Sequence, residues 1–222
     1  QGVNPNSILA VTFTNKAAGE MKERVAKLIN LTHAMPWIGT FHALGAWILR
    51  RDGKKLGIDP HYTILDDDDR RSLIKECVTE LKLDPKQFEP RRVKHLISSK
   101  KSSLVTPDEH LADAKDGFSR AFGELWRLYE QKTATAHALD FDDLLVRTVN
   151  LLEQHPDALM RYQNLWKYVH IDEYQDTDSV QYRLANLLAR AHSNLCVVGD
   201  IDQAIYSFRG ADFRNILQFE LD

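Results

Sequence analysis

The chain is poor in residues that would announce a chemistry outright. Only two cysteines, Cys77 and Cys196, occur in 222 residues. They lie far apart in apolar segments, which excludes a disulfide framework and predicts reduced, buried thiols of the cytoplasmic kind. There is no C-x-x-C pair and no H-E-x-x-H, so neither common zinc pattern is present. No apolar stretch approaches the roughly 20 residues that span a bilayer. The polar opening QGVNPNS is unlike a signal peptide, and a soluble, cytoplasmic protein without a membrane partner is expected. Neither charge sign dominates: the net charge is -3, so any contact with a polyanion must use local patches. A last absence weighs more than these. No G-x-x-x-x-G-K-[ST] phosphate loop occurs; the only Gly-Lys pair, Gly53-Lys54, lacks both the upstream glycine and the following hydroxyl.

What is present suffices for a sizeable core, with 43% of residues hydrophobic. "SILAVTF" (7–13) is a continuous apolar run, as expected of a strand covered on both faces of a parallel sheet. The next stretch places Ala18, Met21, Val25 and Leu28 at helical spacing, behind a cap at Thr14 or Asn15. "WIGTFHALGAWILRR" (37–51) repeats strand, turn and helix, and two such units indicate an α/β core. From Asp52 to about Leu139 strand-like runs disappear, and prolines punctuate helical stretches, so a helical insert is expected. "LDFDDLLVRTVNLLEQHPDAL" continues helical and "YQNLWKYVHIDE" returns to a strand with an acidic end. "SVQYRLANLLARA" reads as a helix, "NLCVVGD" as a strand and "DFRNILQF" as a last helix.

Ligands of parallel α/β sheets sit at the carboxyl ends of the strands, and three clusters lie there. Asp172 and Glu173 follow a buried run; magnesium accepts a single carboxylate with waters and substrate phosphates, so Asp172 suits the cation and Glu173 suits a base. The alternative is that both cap the next helix, where negative charge meets the helix dipole. In "VVGDIDQAIYSFRGAD" (197–212), Gln203 can sense a terminal phosphate through its amide. Tyr206 and Phe208, two apart, put both rings on one side of an extended segment and could stack unpaired bases, or fill core. The turns at Thr12, Phe13, Thr14, Asn15 and at Thr40, Phe41, His42 offer donors and a phenylalanine each, suited to nucleic-acid phosphates and bases or to plain helix capping. "DDDD" (66–69) lacks the spacing of a calcium loop and predicts a helix cap. Arg91, Arg92, Lys94, Lys100 and Lys101 form a basic stretch that suits duplex phosphate or a solvated face. A metal nuclease centre at Asp172-Glu173 ranks low, because the stretch that follows carries no lysine.

Five segments, "AVTFTNKAAGEMKERV", "IGTFHALG", "LDFDDLL", "VHIDEYQDTDSVQY" and "VVGDIDQAIYSFRGAD", resemble in order and spacing the motor core of superfamily 1A DNA helicases of the UvrD/Rep/PcrA group. The resemblance implies part of the first RecA-like, P-loop NTPase domain (1–42 and 152–222) with an all-helical insertion (43–151). It implies an ATP-driven motor moving 3′ to 5′ on single-stranded DNA, acting at single-strand/duplex junctions in repair or replication. By motif match, Asp172 would hold Mg2+, Glu173 would activate water, Gln203 would report the γ-phosphate of ATP, and Arg209 would link that report to DNA. Tyr206, Phe208, Phe13 and the Thr12, Thr14, Asn15, Thr40, Phe41 and His42 turns would line the strand. Phe208 departs from the frequent tryptophan and should stack less strongly. The family's phosphate loop precedes "AVTFTNKAA" and its second motor domain follows, so these 222 residues alone are expected to be inactive. An uncovered sheet surface would favour a dimer.

Overall fold

The computed structural model describes residues 2–28, 34–200 and 202. The described strands are β1 (Ile8–Thr12), β2 (Trp37–Thr40), β3 (Thr63–Ile64), β4 (Ala138–Leu139), β5 (Tyr168–Ile171) and β6 (Leu195–Val197). The helices are α1 (Asn15–Leu28), α2 (Phe41–Asp52), α3 (Asp67–Glu80), α4 (Pro90–Ser102), α5 (Pro107–Asp113), α6 (Gly117–Thr135), α7 (Asp143–Gln154), α8 (Pro156–Leu165) and α9 (Ser179–Ala189). The fold is α/β: a parallel sheet of order β2-β1-β5-β6, flanked by helices. β1 is central, with Leu9 opposite Trp37 on one side and Val169 on the other. That position explains its unbroken apolar run, because Leu9, Ala10 and Val11 are all buried. Both expected helix starts are capped: Thr14 Oγ1 accepts the Ala17 N–H at 3.1 Å and Thr40 Oγ1 accepts that of Ala43 at 3.2 Å.

Two hydrophobic cores form. One joins the sheet (Leu9, Val11, Val169, Ile171) to α2, α7, α8 and α9. The other lies wholly among α3, α4, α6 and their connections, around Ile74, Ile97, Phe122 and Trp126. Between the cores stands a buried ionic cluster. Lys101 Nζ lies 2.8 Å from Asp143, 2.9 Å from Asp140 and 2.8 Å from Glu130, while Arg70 reaches Asp142 at 2.9 Å and Asp140 at 3.3 Å. Tyr129 adds a hydroxyl donated to Asp140 at 3.0 Å. Burial opposes the Lys101 charge, but the surrounding carboxylates outweigh it and hold its pKa above the ordinary range.

Several local expectations differ from the structure. Within the stretch read as helical, β3 and β4 form a two-stranded parallel bridge; two residues each are too short to leave a periodic signal. The helix over 139–159 breaks at Pro156 into α7 and α8, and α8 runs to Leu165, so only Tyr168–Ile171 of the expected strand is extended. Cys77 is buried as expected, but Cys196 is exposed, since its neighbours Leu195 and Val197 take the inward face of β6. The acidic run caps α3 as a capping box, with Asp66 and Asp69 satisfying each other's backbone. The basic stretch is divided, because Lys101 is in the buried cluster and Lys94 pairs with Asp67 at 2.7 Å. Among the described residues no helix is long and apolar enough to cross a membrane.

Candidate functional site

Because every pairing in the main sheet is parallel, its strands deliver their carboxyl ends to one edge. Thr12 is in register with Thr40, Val11 with Ile171, and Ile171 with Val197. The residues just beyond, Phe13, Phe41, Asp172 and Val198, therefore emerge together. The Asp172 N–H still bonds Val11 O at 2.9 Å, and the Val198 N–H bonds Ile171 O at 2.8 Å, so the ladder holds to the last residue.

At Glu173 the chain turns through a left-handed conformation, φ 55° and ψ 44°. Its carboxylate accepts Gln175 Nε2 at 2.7 Å, and Gln175 Oε1 accepts the Asp200 N–H at 3.0 Å. Gln175 is 1% exposed and ties the end of β5 to the loop after β6. The chain passes close to this bridge at Gly199, where a Cβ would lie 2.6 Å from Gln175 Oε1 and would have to displace it. The Asp172 carboxylate is half-buried and makes no hydrogen bond or ion pair with the described residues. Helix capping does not occupy either acid: α9 is capped by Asp178, whose Oδ1 accepts the Gln181 N–H at 2.8 Å. Burial raises the Asp178 pKa to about 6 despite that bond, and Asp142 pushes the same way. Burial and then the Glu173 charge raise Asp176 as well.

On the other side of β1, His42 stacks on Phe141 with ring centroids 4.1 Å apart and planes at 24°. Burial lowers the His42 pKa to about 4, against the opposing pull of Asp142, so the ring is neutral near pH 7. Phe141 is 51% exposed, a large ring presented to solvent beside the strand ends. Its only signal in the sequence is an aromatic inside the acidic turn of "LDFDDLL", which alone points to no role. Of the anticipated DNA contacts, Thr14 and Asn15 are exposed and Phe13 half-buried, while Thr12, Thr40 and Phe41 are buried. The Phe41 ring sits in the core and supports its turn from below. Thr12 Oγ1 is buried and has no hydrogen-bond partner among the described residues. Gln203, Tyr206, Phe208, Arg209 and the helix expected at 212–219 lie outside the described residues.

Among the described residues no group of three or more His, Cys, Asp or Glu side chains could hold a metal ion. Magnesium bound through one carboxylate, waters and phosphates needs no such group. A half-buried, uncommitted Asp172 fits that mode.

A parallel sheet flanked by helices, with a carboxylate pair at the tip of one strand and aromatic turns at its neighbours, is the architecture of a RecA-like α/β domain. The profile of the UvrD/REP helicase N-terminal domain matches residues 1–222, and the chain belongs to that family. It is 47% identical over 220 residues to the ATP-dependent DNA helicase PcrA of Staphylococcus aureus (strain Mu50), covering 99% of this chain and 30% of the relative. The Staphylococcus epidermidis PcrA (strain ATCC 12228) is equally similar over the same shares. The chain thus spans about a third of the length of the curated relatives it matches.

Proposed function

We propose that this chain is the part of an ATP-dependent DNA helicase that joins the catalytic carboxylates to the path of single-stranded DNA, within a protein that moves 3′ to 5′ and opens duplex at junctions. The carrying observation is the juxtaposition of Asp172 and the Glu173–Gln175–Asp200 bridge with the His42–Phe141 stack at one sheet edge, in a chain of this family. Asp172 holds the Mg2+ of Mg-ATP, which supplies charge neutralisation for the phosphates. Glu173 orients the attacking water and accepts its proton, and Gln175 fixes the carboxylate for that task. Gln203 and Arg209 carry the nucleotide state to the DNA side. Phe13, His42, Tyr206 and Phe208 contact bases, joined by the exposed Phe141; Thr14 and Asn15 offer donors to phosphates, and Thr12, Thr40 and Phe41 shape their turns. The second core, drawn entirely from residues within 43–151, supports reading that stretch as an inserted unit. Its flanking helices α2 and α7 attach it to the motor core of 1–42 and 152–222.

The test is DNA-stimulated ATP hydrolysis by the full-length protein. Asp172→Asn and Glu173→Gln should each abolish turnover while leaving DNA binding in place. ATPase activity indifferent to both substitutions refutes the proposal. These 222 residues contain no phosphate loop, so by themselves they should bind Mg-ATP very weakly. A second reading, a single-strand-binding module without ATPase activity, is favoured by the solvent-facing Phe141 ring. It predicts DNA binding by the full-length protein with no ATP turnover. Self-association through the β6 side, where Cys196 and Val198 are exposed, is read by light scattering.

A further inference from the structure

We infer that the buried Arg70 is a positioning residue for base contact: it draws the aspartates on either side of Phe141 inward and so directs that ring outward onto His42. This rests on the base-contacting role proposed above for His42 and Phe141. Phe141 is 51% exposed, and a ring with that freedom loses conformational entropy when a base stacks on it unless its pose is already fixed. Its two neighbours in the chain fix it. Asp140 is fully buried and the Asp142 side chain is 23% exposed. One guanidinium nitrogen of Arg70 lies 3.3 Å from Asp140 Oδ2 and 2.9 Å from Asp142 Oδ2. With residues 140 and 142 drawn to a single nitrogen on the inner side, the side chain between them points the other way, toward solvent.

The anchor is rigid because its parts come from α3, α4 and α6 together. Arg70 sits on α3 and is 4% exposed. Ser98 of α4 donates to Asp142 Oδ2 at 2.6 Å and accepts a bond from the same Arg70 nitrogen at 3.2 Å. Lys101 of α4 and the Tyr129 hydroxyl of α6 hold Asp140 at 2.9 Å and 3.0 Å. Helix capping does not account for Asp142, which precedes α7 but accepts no capping bond with its side chain. Nor does charge at His42, whose ring is kept neutral near pH 7 by burial against the pull of Asp142. Arg70 is too deeply buried to reach a base itself and acts through Phe141.

Fluorescence anisotropy of the full-length protein with oligothymidine and with an abasic strand of equal length tests this. Phe141→Ala sets the ceiling, a loss of about tenfold on oligothymidine. Asp142→Ala should weaken oligothymidine several-fold relative to Asp142→Asn, which removes the same charge but keeps an acceptor for Arg70 and Ser98. Those two variants should bind the abasic strand alike, since a misplaced ring costs nothing where there is no base. Arg70→Met should act like Asp142→Ala, and in a Phe141→Ala background neither should weaken oligothymidine further. If Arg70→Met fails to fold, as urea denaturation would show, the Asp142 pair decides alone. Equal oligothymidine affinity of Asp142→Ala and Asp142→Asn, an equal loss on the abasic strand, or a further loss once Phe141 is already alanine would each overturn the inference. The underlying reading fails separately: if Phe141→Ala leaves oligothymidine binding unchanged, the base contact itself is refuted, and the inference with it.

Discussion

Gln175 clasps Glu173: its Nε2 donates to the carboxylate at 2.7 Å while its Oε1 holds the Asp200 N–H at 3.0 Å. In the role proposed for Glu173, a carboxylate fixed in this way is pre-oriented toward water, and its freedom depends on one buried amide. In the full-length protein, Gln175→Leu should therefore reduce kcat by about 10²-fold with little change in KM for ATP, as expected when a positioned group loses its geometry. Steady-state ATPase kinetics decide this; a KM effect with normal kcat would mean that Gln175 serves nucleotide binding instead.

Lys101 is the centre of the charge cluster between the two cores, facing Asp140, Asp143 and Glu130. Lys101→Met strands buried carboxylates and should cost about 3–5 kcal/mol of stability. Replacing Asp140 and Asp143 with Asn in the same chain should recover part of that loss. Urea denaturation midpoints would show the difference.

Two half-buried groups give opposed pH dependences. Burial raises Asp178 to about 6, above its unfolded value of about 3.9, so its contribution is full below pH 3.9 or so and is lost as pH rises through about 6. Burial lowers His42 to about 4, below its unfolded value of about 6.5. Its contribution is present above that unfolded value and is lost as pH falls through about 4. The two slopes offset one another between them. Asp178→Asn keeps a capping side chain but removes one slope, so its stability should climb with pH from about 4 to 6.5 more steeply than that of the unaltered chain. Denaturation at several pH values checks it.

Gly45 lets α2 and α7 touch. A Cβ there would meet the Leu144 carbonyl, while Thr148 Oγ1 donates to Leu144 O at 2.6 Å and Gly45 O at 3.3 Å. Gly45→Ala should therefore destabilise by about 1–3 kcal/mol despite alanine's better helix propensity. Thermal melts would expose a wrong sign at once.

The central strand and the acidic tip were legible because both follow from local rules: Leu9 to Val11 are apolar without alternation, and Asp172 follows a later strand in which Val169 and Ile171 alternate inward. The helix caps at Thr14, Thr40 and Asp66 were legible for the same reason. What escaped depends on partners distant in sequence. Gln175 looked like one polar residue among several until Asp200 closed the bridge. Phe141 gained a role only when His42, 99 positions earlier in the chain, came to lie against it. Lys101 read as one more surface cation, because the carboxylates that bury it come from α6 and the entry to α7.

Glu173 adopts φ 55° and ψ 44°, a backbone posture in which a side chain costs about 1–2 kcal/mol and glycine costs nothing of that kind. Durability and chemistry make contrary demands at this one position. Glu173→Gly would relax the turn and, in the role proposed for Glu173, remove the proton acceptor with it, exchanging chemistry for a calmer fold.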